Sequence, residues 1–97
     1  MANYLARVEL HSATYSDYEN LHSYMHARGY SRYITGDDGK AYHLPTGTYV
    51  GNFANNQAAL NSALDAANQT GRSSEAIVVD WSSARWQGLS VAAARTA

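Results

Sequence analysis

The segment from Tyr30 to Leu44 constrains this chain more than any other. Tyr30-Ser31-Arg32-Tyr33-Ile34-Thr35 and Lys40-Ala41-Tyr42-His43-Leu44 are rich in aromatic and β-branched residues, with Gly36-Asp37-Asp38-Gly39 between them. An Asp-Gly pair between two such runs is a strong short-range signal for a β-hairpin. Two registers fit. A two-residue loop at Asp38-Gly39 pairs Tyr33 with Leu44, and a four-residue loop from Gly36 to Gly39 pairs Tyr33 with Tyr42. Both loops are even, so both place Tyr33, Tyr42 and Leu44 on one face and Arg32, Ile34 and His43 on the other. An odd loop would exchange the faces.

The hairpin is flanked symmetrically. Before it, Tyr4 to His11 places Ala6, Val8 and Leu10 on one side and Arg7, Glu9 and His11 on the other, the period-2 pattern of a half-buried strand. Ser16-Asp17-Tyr18-Glu19 has the form of a capping box with Ser16 as N-cap. Tyr18, Leu21, Met25 and Arg28 then recur at helical spacing up to the stop at Gly29. Pro45-Thr46-Gly47 should interrupt the second hairpin arm, because proline cannot donate to a ladder, and Thr48-Tyr49-Val50 resumes it. Beyond it, Asn55 or Asn56 caps a second helix with the stripe Leu60, Ala63, Leu64 and Ala67, ended by Gly71. Ala76-Ile77-Val78-Val79-Asp80-Trp81 reads as a last strand. The order β-α-β-β-α-β is the ferredoxin-like α+β pattern, a two-layer sandwich with both helices on one face of an antiparallel sheet. The expected unit is one domain over residues 1–97, with its core at about 3–81. In such a fold the first and third strands lie side by side, and the second sheet face is bare. The aromatics Tyr18, Tyr33 and Tyr42 are expected to point toward the helices.

Composition excludes several classes. The 97-residue chain has a formal net charge of -1 and no cysteine. No global basic field draws it to nucleic acid, and disulfides, thiolate metal sites and cysteine nucleophiles are ruled out. No apolar run approaches the roughly 20 residues that span a bilayer. Met1-Ala2-Asn3-Tyr4 lacks the basic start of a signal peptide, so the expected location is cytoplasmic, with no membrane partner. Phosphate-loop and dinucleotide fingerprints are absent. His22 and His26 have a metal-gripping spacing but no third ligand, so neither a metal nor another cofactor is expected.

Several stretches carry a family resemblance: the opening strand Tyr4-Leu5-Ala6-Arg7-Val8-Glu9, the helix with Leu21 and Met25, and the aromatic of Gly29-Tyr30-Ser31. Gly39, Leu44 and Tyr49 also fall in register. Over Tyr4 to about Asn52 the chain resembles the GhoS-type antitoxins of type V toxin–antitoxin systems, without gaps. Tyr42-His43-Leu44-Pro45-Thr46 and Trp86-Gln87-Gly88-Leu89 are similar to strings in that group. The resemblance implies a ferredoxin-like endoribonuclease that cleaves the messenger of a membrane-lysing toxin, similar in fold to the small subunit of CRISPR adaptation complexes. A basic first-helix residue linked to cleavage in the family is replaced here by His22.

Metal-independent RNA cleavage needs a base for the 2′-hydroxyl, an acid for the leaving oxygen and a cation for the phosphorane, which histidine and arginine supply. The expected catalytic set is His22, Arg32 and His43, with Arg7 and Arg28 contacting single-stranded RNA, and with His43 near Arg7 or Glu9. Glu9 resembles the metal-binding acid of the CRISPR subunits, but it has no second acid nearby for a two-metal site. Trp81 and Trp86 flank a polar link, and the segment from Trp81 to Leu89 is expected to pack across a homodimer interface, with residues 82–97 in or near it. The alternative reading is a non-enzymatic module of the same fold, such as a phage-encoded inhibitor of a bacterial defence complex.

Overall fold

The computed structural model describes residues 1–92. Six strands and two helices follow in the order β1 (Ala2–Leu10), α1 (Tyr15–Ala27), β2 (Tyr30–Ser31), β3 (Tyr33–Thr35), β4 (Ala41–His43), β5 (Thr48–Phe53), α2 (Asn56–Gln69) and β6 (Ser74–Asp80). Four of the strands form an antiparallel sheet in the order β2-β5-β1-β6. This is the ferredoxin-like arrangement, with the first strand and the strand before the second helix at its centre.

Alternation along β1 decides which face is covered. Ala6, Val8 and Leu10 are buried in one cluster with Leu21 and Met25 of α1, Tyr49 of β5, and Ala63, Ala66 and Ala67 of α2. Arg7 and Glu9 point the other way and are exposed. The Leu21–Met25 stripe and the stop at Gly29, with φ of 96°, follow the sequence expectation. The N-cap differs. Thr14, not Ser16, caps α1, with Asp17 completing the capping box. Thr14-x-x-Asp17 and Ser16-x-x-Glu19 both carry the motif, and the earlier one gains more, because the Arg72 guanidinium also donates to Asp17 at 2.8 Å.

In α2, capped by Asn55, the fully buried positions are Ala59, Ala63, Ala66 and Ala67, while Leu60 and Leu64 are only half-buried. The expected stripe is thus rotated toward the smallest side chains. Tyr30 explains why: its hydroxyl donates to the Ala59 carbonyl at 2.7 Å, a contact that needs helix and sheet close together. Burial pushes the Tyr30 phenol up to about 12, so it stays a hydrogen-bond donor.

The hairpin departs from expectation in two ways. First, it is not the sheet's third strand: β3 and β4 form a separate two-stranded ribbon, and β5 takes the place beside β1. Pro45 and Gly47 cause the separation. A turn closes from the Thr48 N–H to the Pro45 carbonyl at 2.9 Å, and the Val8 N–H donates to the Gly47 carbonyl at 2.7 Å. Second, the loop is odd. The Gly36 N–H donates to the Lys40 carbonyl and the Gly39 N–H to the Gly36 carbonyl, each at 2.9 Å. With Gly39 at φ of 80°, Asp37-Asp38-Gly39 is a three-residue loop. Tyr33 therefore pairs with His43, Ile34 with Tyr42, and Thr35 with Ala41. Tyr33 and Tyr42 lie in this ribbon, half-buried, instead of facing the helices; the core tyrosines are Tyr4, Tyr30 and Tyr49.

The chain after β6 returns to the ribbon. Val91 bridges Tyr42, His43 donates its backbone N–H to the Ser90 carbonyl, and Ala92 donates to the Ala41 carbonyl. The Trp86 ring lies 5.4 Å from that of Tyr42. Within the segment assigned to a dimer interface, Trp86 and residues 90–92 thus contact the ribbon of their own chain, while residues 82–85 are exposed. Residues 93–97 of that assignment lie outside the described residues. Among the described residues no helix is long and apolar enough to cross a membrane.

Candidate functional site

The most concentrated polar chemistry in the core lies where α1 crosses β5. His22 is on the buried side of α1, one position after Leu21, and its Nδ1 lies 2.7 Å from the hydroxyl of fully buried Tyr49. On the other side of the ring, Nε2 lies 3.8 Å from a Glu19 carboxylate oxygen, one helical turn back. Burial and the positive field of Arg32 hold the His22 imidazole below its usual value, while Glu19 pulls it the other way. Burial raises the Tyr49 phenol well above its usual value, and Arg32 opposes that shift. At neutral pH the pair is therefore an uncharged imidazole and an uncharged phenol.

Their tautomer follows. The Tyr49 O–H has no other acceptor among the described residues, so it donates to Nδ1. The imidazole proton then resides on Nε2, facing Glu19 and the solvent rim. His22 presents a hydrogen-bond donor outward, not a free lone pair. Arg32, in the single-residue break between β2 and β3, adds a half-buried cation whose field reaches both rings.

Two of the three expected catalytic residues, His22 and Arg32, thus fall in one neighbourhood. His43 does not join them through the ribbon. The odd loop places it opposite Tyr33, with ring centroids 5.0 Å apart, and off the face that carries Ile34. Nor is it the strand neighbour of Arg7. That position belongs to Thr48 on β5 and Ile77 on β6, because Pro45 ends the ribbon before the sheet resumes.

The expected RNA-contacting arginines are engaged within the chain. Arg7 donates to the Thr46 carbonyl at 3.2 Å and lies 3.9 Å from Glu9. Arg28 joins the two helices, donating to Gln69 at 3.1 Å and lying 3.7 Å from Asp65. His26 is exposed, and no cluster of three metal-ligating side chains occurs among the described residues.

One feature of the surface has no counterpart in the sequence reading. Ile34, Thr35 and Asp37 of the ribbon and residues 81–86 line an open cleft of about 600 Å³ that includes Trp81, Arg85 and Trp86. It exists because the ribbon leaves the sheet and the tail returns to it. Tyr49 was also missed as a site residue; its place opposite Ala6 on the covered face follows from the β1–β5 register and not from any local motif. No protein-family model and no curated protein matches the chain.

Proposed function

We propose that the protein is a GhoS-like antitoxin that acts on single-stranded messenger RNA as a metal-independent endoribonuclease. The observation that carries this reading is the convergence of His22 and Arg32 on Tyr49, from a helix and an inter-strand break. Arg32 supplies a half-buried cation for a phosphodiester. The outward Nε2–H of His22 adds a hydrogen bond to the oxygen on which charge grows during attack by the neighbouring 2′-hydroxyl. Donors fixed in advance at such an oxygen are the largest single source of rate in many enzymes. The 2′-hydroxyl proton passes to solvent base, because the Tyr49 hydroxyl occupies Nδ1. As the 2′-oxygen bonds to phosphorus, the bond to the 5′-oxygen breaks and that oxygen takes a proton from water, leaving a 2′,3′-cyclic phosphate and a 5′-hydroxyl.

That same occupied nitrogen favours a second reading, a module of this fold that binds its target without cleaving it, such as a phage-encoded inhibitor of a bacterial defence complex. One experiment separates the two. Purified protein is incubated with single-stranded RNA in EDTA, beside the Arg32→Ala, His22→Gln and His43→Ala variants, each checked for folding by circular dichroism. Cleavage that falls at least about tenfold in the first two and persists in the third supports the nuclease, since one lost transition-state hydrogen bond is worth a factor of that order or more. RNA bound but uncut selects the binding module. Cleavage equal in all four proteins removes the His22–Arg32 site.

A further inference from the structure

We infer that β6 is a self-association edge, and that a second copy of this chain pairs with it antiparallel to continue the sheet across a two-fold axis. β6 is the outer strand of the β2-β5-β1-β6 sheet, and among the described residues its seven residues have only β1 as a strand neighbour. The Trp81 N–H donates to the Asn3 carbonyl and the His11 N–H to the Ser73 carbonyl. Antiparallel ladders bond at alternate residues, so the odd-numbered positions of β6 face β1, and Ser74, Ala76, Val78 and Asp80 turn their N–H and C=O groups outward. A row of free backbone groups on a strand of high β-propensity is a template for another strand.

The edge carries Glu75 and Asp80 but little other protection. Ser-Glu-Ala-Ile-Val-Val-Asp contains no proline and no lysine, and its two apolar side chains on the open face, Ile77 and Val79, are 61% and 44% exposed. On the covered side, Leu60 of α2 and Ala76 to Val78 line a groove of about 330 Å³ with Asn56 and Gln57. The strand is self-complementary about Ile77. In that register Ile77 meets its own copy, Ala76 meets Val78, Glu75 meets Val79 and Ser74 meets Asp80. No acid faces an acid, whereas sliding the axis to Glu75 would oppose two carboxylates. The outward backbone groups coincide at every even position, and Val78 of the second chain reaches the groove beside Leu60. Each copy offers the same surface, as a two-fold interface requires.

Sedimentation at rising concentration tests this, alongside two variants chosen to leave the monomer intact. Ile77→Lys replaces an exposed side chain and opposes two cations at the axis. Ala76→Pro removes an outward N–H that has no strand partner among the described residues, a position where edge strands accept proline. The expected result is a species of twice the 10.6 kDa chain mass that both variants return to monomer with unchanged circular dichroism. A wild-type protein that stays monomeric at about 100 μM, ten to a hundred times the micromolar dissociation constants of the weaker natural pairings, overturns the inference. So does a dimer that survives both substitutions, which would assign association to another surface such as the tryptophan segment.

Discussion

His22 is a histidine on the covered face of a helix, and its proton equilibrium is coupled to folding. Its pKa in the folded protein lies below the ordinary value of 6.5, chiefly through burial and then through Arg32. The unfolded chain therefore takes up this proton first as pH falls. The slope of stability with pH follows the excess of protons on the unfolded state, so stability is intact above about pH 7 and declines as pH drops through the unfolded value toward the folded one. Thermal unfolding of the wild type followed from pH 7.5 to 5 should show this decline, and His22→Gln should flatten it, since an amide can still accept from Tyr49 and does not titrate. Equal slopes in both proteins would mean that His22 is protonated as freely folded as unfolded. The residue was legible in the sequence as one of a helical pair, His22 and His26, yet its burial was not. The apolar stripe through Leu21 and Met25 marks the buried side, and His22 adjoins Leu21 on it; what draws the imidazole inward is Tyr49, and nothing local announces that partner across 27 residues.

Elements were more legible than the joints between them. The first strand, both helices and the last strand follow from period-2 and period-3.6 patterns, and the helices end at glycines in the left-handed region, Gly29 and Gly71. The hairpin was visible, but its register was not, because Gly36-Asp37-Asp38-Gly39 supports even and odd loops alike. The odd one wins here with Asp38, whose carboxylate accepts from the Lys40 N–H at 3.0 Å and the Tyr42 hydroxyl at 2.6 Å. That choice separates His43 from the Ile34 face. The joint at Pro45-Thr46-Gly47 can be tested directly against the hairpin glycine. Gly39 and Gly47 have nearly the same φ, 80° and 83°, but a Cβ at Gly39 would meet nothing within 4 Å, and at Gly47 it would lie 2.5 Å from the Val8 carbonyl oxygen. Gly39→Ala should cost only left-handed strain, about 1–2 kcal/mol. Gly47→Ala should cost clearly more, because β1 must shift or lose the Gly47–Val8 hydrogen bond. Urea unfolding of the two variants measures the difference, and equal losses would show that the turn yields without disturbing β1.

At the scale of the molecule, the chain is a covered sheet with a second, smaller sheet attached through its tail. β1, β5, β6 and the two helices share one apolar cluster, whereas the ribbon contributes Ile34 as its only fully buried side chain among the described residues. A two-stranded ribbon is marginal alone in water. Here Ser90 to Ala92 line it as a short third strand, and Trp86 packs on Tyr42. The tail is therefore expected to stabilise the ribbon and not the sandwich. A chain ended after Trp81 keeps the residue whose backbone N–H donates to the Asn3 carbonyl and removes every contact from Ser82 onward. Hydrogen exchange should then show amides of Tyr33 to His43 opening at least about tenfold faster, the effect of some 1.4 kcal/mol of lost local stability, while those of β1 and β5 keep their protection. Should β1 and β5 lose protection together with the ribbon, sandwich and ribbon form one cooperative unit, and the cleft between Ile34 and Trp86 is as rigid as the core. If only the ribbon opens, that cleft changes shape with the tail, whereas the His22–Tyr49 pair, anchored on α1 and β5, stays in place. Arg32 stands at the boundary, in the break between the sheet and the ribbon, so ordering of the tail would reach the proposed site through Arg32 and not through His22.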